Sequence, residues 1–92
     1  MKSVIKVLKL LTGEEIITRL SEGENGDLHL EKPMVIQVIS ESQGKLNVGL
    51  VRWSMGGKTE SCTLNDKHIM IMLDPQAGIE TTYLSAITGI SL

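Results

Sequence analysis

The chain has 92 residues, 41% of them apolar and 22% charged, with a formal net charge of −2. That is the length of one small domain, residues 1–92, and the balance of a folded globular chain and not of a disordered one. No apolar run approaches the span of a bilayer, and the slight acidic excess argues against a duplex-binding protein, which needs a basic surface for phosphates.

Aromatic residues are scarce: Phe is absent, and Trp53 and Tyr83 stand alone. A row of rings for stacking single-stranded bases is therefore missing, and the core must be built from Val, Ile, Leu and Met. Cys62 is the single cysteine, so no internal disulfide can form. No charged-then-apolar leader with a small-residue cleavage site is evident, which gives the expectation of a cytoplasmic protein with no membrane partner.

Val4–Leu11 is rich in branched residues and reads as a strand. Thr12-Gly13-Glu14 is a turn, and Glu15–Leu20 is again β-branched, so the two make a hairpin. Glu22–Gly26 is a polar loop. Asp27–Glu31 alternates, with Leu28 and Leu30 on one face. Lys32-Pro33 interrupts the ladder, because proline has no N–H to donate, and Met34–Ile39 resumes it. A bulge at Pro33 would let one long strand turn a corner.

Glu41–Lys45 is the next turn, and Leu46–Trp53 is a strand containing Gly49, where bending is easy. Ser54–Asp66 reads as a long loop or loose hairpin, with Gly56-Gly57-Lys58-Thr59 at its tip. That tetrad lacks the upstream glycine of a phosphate-binding loop. His68–Leu73 is a strand with apolar groups on both faces. Asp74 is a good N-cap and Pro75 a good first helical residue, while Ile79, Tyr83, Leu84 and Ile87 recur at helical spacing before a Gly89 stop. A C-terminal helix is expected, the alternative being a sixth strand through Thr81–Ala86.

About five short antiparallel strands, bent at Pro33 and Gly49, tend to close as a small barrel. The core can cover one face of the strand that carries Ile69, Met70, Ile71 and Met72. Its other face needs a helix or a second copy of the chain, since each apolar side chain left in water forgoes about 1.5–3 kcal/mol. Self-association through strand edges is the expectation. No catalytic elbow, nucleophile–base set or metal-ligand spacing is present. The two histidines, His29 and His68, lie on different strands, so the chain is expected to be a non-enzyme without a cofactor or metal.

The run VLKLLTGEEIITRL, its polar loop and DLHLEKPMVIQV resemble the first motif of Sm-like (LSm) proteins. Gly13-Glu14-Glu15-Ile16-Ile17, Pro33 and Val51-Arg52-Trp53 look closest to the short Sm-like proteins encoded by marine cyanophages. The resemblance covers about Val4 to Leu73. It implies a five-stranded, strongly bent barrel with a short C-terminal helix, assembled as a homo-oligomeric ring in the cytoplasm (of the host cell, if phage-encoded). Neighbours would join through Leu46–Trp53 and His68–Leu73, making Val48, Leu50, Trp53, Ile69, Met70, Ile71 and Met72 the interface candidates.

Asp66-Lys67-His68 is similar to the Tyr-Lys-His stretch of host-factor (Hfq-type) members, where lysine and histidine line the pore and contact uridine-rich RNA. Lys67 and His68 are thus the leading candidates for binding single-stranded U-rich RNA, and Asp66 stands where the family has an aromatic. Arg52 matches the arginine of the second motif, although Trp53 replaces the following glycine and a long insertion follows. In the first-motif loop Asn25 is present and Asp27 falls near the family's asparagine position, which adds both to the RNA-binding candidates. The resemblance implies an RNA-binding or RNA-chaperone-type ring scaffold. The alternative is a structural or protein-interaction ring, phage-related, that ignores nucleic acid and meets a protein partner of unknown identity.

Overall fold

The computed structural model describes residues 3–53, 57 and 61–88. Six strands run in chain order: β1 (Val4–Leu10), β2 (Glu15–Glu22), β3 (Asp27–Ser42), β4 (Lys45–Arg52), β5 (Ser61–Asn65) and β6 (Ile69–Leu73). A single 3-10 turn, Asp66–His68, links β5 to β6, and helix α1 (Ala77–Thr88) follows. All pairings are antiparallel; the strand order is β4-β3-β2-β1-β6, with β5 also pairing with β3. The chain is mainly β, with a curved sheet and one C-terminal helix, and Thr81–Ala86 is helical, so the sixth-strand alternative for that segment falls.

The central element is β3, 16 residues long, which carries β5 on its first half and β4 on its second. The corner lies where the sequence places it. Ile17 pairs with Met34 and Arg19 with Glu31, so Lys32 and Pro33 together oppose Thr18. Lys32 takes a φ of 50°, a left-handed conformation uncommon for a residue with a Cβ. One inserted residue exchanges the faces of everything after it. Leu28 and Leu30 point into the core, but beyond the bulge Val35 points in while Met34 and Ile36 point out.

This exchange creates two apolar layers. On the concave side Leu8, Leu10, Ile16, Leu20, Leu28 and Leu30 are buried together, with Val35, Trp53, Leu64 and Ile69 against them. On the convex side Val7, Ile17 and Tyr83 are buried, flanked by Ile5, Met34, Ile36, Leu50, Ile79 and Ile87. Helix α1 supplies that second cover.

Tyr83 also completes the corner. A bulge leaves backbone groups without ladder partners, and a buried orphan costs about 1–3 kcal/mol. The Tyr83 hydroxyl accepts from the Arg19 N–H at 3.1 Å, and its proton reaches the carbonyls of Glu31 at 3.0 Å and Lys32 at 2.9 Å. The Thr18 hydroxyl donates to the same Glu31 carbonyl at 3.0 Å. Lys32 Nζ then donates to the Ile87 carbonyl at 3.0 Å, a cation at a helix C-terminus.

Several expectations change. The sheet is open and not a closed barrel: β4 and β6 end its path, and the described residues form six strands, not five. Its curvature nevertheless lets the three residues 66–68 carry the chain from the β5 edge to the β1 edge. Ser61–Asn65 is a strand, not part of a loop, and His68 belongs to the 3-10 turn, so β6 starts at Ile69. Helix α1 starts at Ala77, with the Glu80 N–H bonded to the Gln76 carbonyl; Asp74 pairs instead with Lys6. The Gly56-Gly57-Lys58-Thr59 tip, apart from Gly57, and the Gly89 stop lie outside the described residues.

Candidate functional site

The β2–β3 turn and the 3-10 turn meet at one end of the sheet, because β5 lies antiparallel along the first half of β3. Asp27 pairs with Asn65, and Leu28 with Leu64. The turn residues Asn25 and Gly26 both have positive φ, 57° and 81°. The turn is closed by the Asp27 N–H donating to the Glu24 carbonyl at 2.9 Å and the Gly23 N–H to the Asp27 carbonyl at 2.8 Å.

Asn65 is the clasp between the two turns. Its Nδ2 donates to Asp27 Oδ1 at 3.1 Å and to the Asn25 carbonyl at 3.4 Å. Its Oδ1 accepts from the Lys67 N–H at 3.1 Å, capping the 3-10 turn. Beside it the Asp66 N–H donates to the Gly26 carbonyl at 2.8 Å. A Cβ on Gly26 would sit 3.0 Å from Asp66 Oδ1, so a side chain there would press that exposed carboxylate back by a few tenths of an ångström. On the other flank the Leu11 N–H donates to the His68 carbonyl at 2.9 Å, tying the turn to β1.

Four of the five RNA-binding candidates, Asn25, Asp27, Lys67 and His68, therefore gather in one cluster. Lys67 and His68 are exposed, as are Asn25 and Asp66. The fifth, Arg52, is placed elsewhere: it ends β4 and pairs with Met34, on the far side of the β3 corner. Sequence reasoning missed Asn65. The signal available was an Asn one residue before Asp-Lys-His, the position of a side-chain cap, but it has meaning only once a turn is known to start there. The assembled cluster sets the Lys67 ammonium and the His68 imidazole beside two carboxylates, Asp27 and Asp66.

The interface candidates divide. Met70, Ile71 and Met72 are exposed by 55%, 45% and 43%, and Val48 is exposed as well. Leu50 is half-buried against the α1 layer, while Ile69 and Trp53 pack on the concave core. The strict alternation expected along β6 is broken. Lys9 pairs with Ile71 and Leu10 with Ile69, leaving Met70 as a bulge residue, so Ile69 and Met72 share a face. Exposed large apolar residues that the sequence reading did not single out as contacts are Val4, Leu11, Val38, Ile39, Val51 and Leu73.

Trp53 also answers for Glu14, in the turn of the first hairpin. Its indole N–H donates to Glu14 Oε2 at 3.0 Å, and the Thr12 hydroxyl donates to Oε1. The hydroxyl of Thr12 first, then the indole of Trp53, hold the Glu14 carboxyl below its ordinary range. Burial pushes the Cys62 thiol up. His29 faces Thr63, Nδ1 to Oγ 3.3 Å, on the open outer side of β3.

Among the described residues no group of three or more His, Cys, Asp or Glu side chains is placed to hold a metal ion. No described helix is long and apolar enough to cross a membrane. Comparison of the sequence with protein-family profiles and with curated proteins returns no match.

Proposed function

We propose that the chain is an Sm-like subunit that assembles with copies of itself into a ring and uses the ring as a scaffold for single-stranded, U-rich RNA. The observation that carries this reading is the pairing of two unlike open edges on one bent sheet. Among the described residues β6 pairs with β1 alone and β4 with β3 alone. Both edges expose apolar side chains: Met70, Ile71, Met72 and Leu73 on one, Val48 and Val51 on the other. Unpaired edge strands are templates for association, and joining two different edges gives a head-to-tail contact that closes when the rotation permits. In such an assembly the edges meet between subunits, and the small barrel is completed at each seam. The gathering of Asn25, Asp27, Lys67 and His68 at one end supports a repeated binding position, where weak contacts multiply.

Light scattering on the purified chain tests assembly: a mass several times that of one chain is expected, and an Ile71→Lys change in β6 should return it to one chain. A single-chain mass for the unmodified protein at micromolar concentration would end the ring reading. Filter binding to oligo(U) and oligo(A) at low salt, where phosphate contacts are strongest, tests the RNA role. Retention of oligo(U) that weakens in a Lys67→Ala/His68→Ala double variant is the expected result.

A second reading has its own support. Asp27 and Asp66 bring two carboxylates to the cluster, Asp66 stands where the Hfq-type stretch has its aromatic, and the net charge is −2. A ring that docks a protein and not a nucleic acid fits those charges. Assembly without any oligonucleotide retention is its signature.

A further inference from the structure

The corner of β3 leaves a cleft of about 290 Å³ between the last turn of α1 and the sheet, lined by Lys32, Pro33, Met34, Arg52, Ala86 and Ile87. Its chemistry is unlike that of the rest of the surface. The floor is apolar: a buried proline, the half-buried Met34 and Ile87, and an alanine. Among the described residues two cations and no carboxylate complete the wall. Glu31 lines a separate, smaller hollow that shares Lys32 and Ile87.

Both cations are set in place by the fold. Lys32 is fixed by its left-handed φ of 50° and by the bond from Nζ to the Ile87 carbonyl at 3.0 Å. That bond uses one of three ammonium donors and offsets the negative end of the helix, which would otherwise repel an anion. Arg52 closes β4 opposite Met34 and already makes an interaction within the chain. A guanidinium has five donors in a planar fork, so it can keep that interaction and still receive a carboxylate.

We infer that this cleft binds an aliphatic monocarboxylate, with the head group on Arg52 and Lys32 and the hydrocarbon against Met34, Ala86 and Ile87. An apolar pocket with a few convergent polar groups is the usual form of a small-molecule site. The volume suits a short chain, and charge-assisted bonds to a carboxylate are about twice as strong as neutral ones. Every residue of the lining belongs to one chain.

Hexanoate, hexanol and inorganic phosphate are the probes, read by methyl NMR on the full chain. Hexanoate should shift the methyls of Met34, Ala86 and Ile87 saturably, with a Kd of about 1 mM for so small a ligand, and leave Met70 and Met72 unmoved. Arg52→Gln should raise that Kd about tenfold. Ala86→Leu, an exposed helix position where leucine is well tolerated, should fill the cleft and abolish the shifts while the remaining methyl spectrum stays that of the folded chain. Hexanol binding as well as hexanoate would show that the cations play no part. Phosphate producing the same shifts would show that the apolar floor plays none. Either result, or wild-type affinity in Arg52→Gln, overturns the assignment.

Discussion

The two halves of β3 belong to one strand and live in different environments. Asp27–Glu31 lies between β2 and β5, with Leu28 and Leu30 sealed inward and His29 and Glu31 facing out under no cover. From Met34 onward the outward side chains are Met34 and Ile36, and α1 lies over them. Past Ile36 the helix no longer reaches, and Val38 and Ile39 are 59% and 71% exposed. What differs is the cover, not the strand propensity: the first half needs polar residues outside because nothing shields it, and the second needs apolar ones because a helix does. The bulge at Lys32-Pro33 makes both possible, since it exchanges inward and outward positions at the point where the cover changes.

The change expected to damage this division most is Tyr83→Ala. It empties a fully buried site and orphans the corner's backbone groups, for a loss of about 3–5 kcal/mol, comparable with the whole stability of so small a domain. Urea unfolding followed by circular dichroism reads it. Tyr83→Phe isolates the hydroxyl and should cost about 1–3 kcal/mol; wild-type stability there would mean that water serves the bulge equally well.

Asn65→Ala acts on the first half alone. Removing the cap of the 3-10 turn and its bonds to Asp27 and Asn25 should cost about 1–2 kcal/mol. Hydrogen exchange should quicken at the Lys67 amide and leave the β3–β4 ladder unchanged. Accelerated exchange in both halves would argue that they unfold as one unit.

Acid probes the tie between Glu14 and Trp53, which follows β4. The folded carboxyl titrates below its ordinary 4.5 because Thr12 and Trp53 hydrogen-bond the charged form. Its contribution is therefore complete above that value and is lost as pH falls through the folded pKa. Between pH 5 and 3 the wild type should lose more stability than Glu14→Gln, measured by thermal unfolding at each pH; parallel curves would remove the carboxylate from the account.

The smallest effect is expected at Gly49 in β4, which pairs with Gln37 in the second half. An added Cβ would lie 2.3 Å from Ile39 Cδ1, the tip of a side chain that is mostly in water and can swing aside. Gly49→Ala should change stability by no more than about 0.5–1 kcal/mol. A larger loss would show that Ile39 is held in place, as by a neighbouring copy.

Much of this architecture can be read from the residues. Pro33 cannot donate to a ladder, and Gly13 and Gly44 mark turns, so the first hairpins and the corner follow from local chemistry. Ser61–Asn65 is harder to see: Cys62 and Leu64 offer only two apolar positions, and the strand exists because β3 presents an edge to it. The break in β6 alternation at Met70 is likewise set by its partner β1. Of the candidate cluster, Lys67 and His68 stand out by resemblance, but Asn65 acts through contacts 38 and 40 residues away along the chain, which no local pattern encodes. Tyr83 reads as one more helical apolar residue, and its service to the bulge depends wholly on tertiary placement.

The bond between Tyr83 and Arg19 spans 64 positions along the chain. During synthesis β2 and β3 emerge long before that tyrosine has been translated, and the corner between them must wait in water until α1 has cleared the ribosome. Sealing the corner is therefore a late step for the growing chain, and a chain cut short before Tyr83 would keep its bend unsealed.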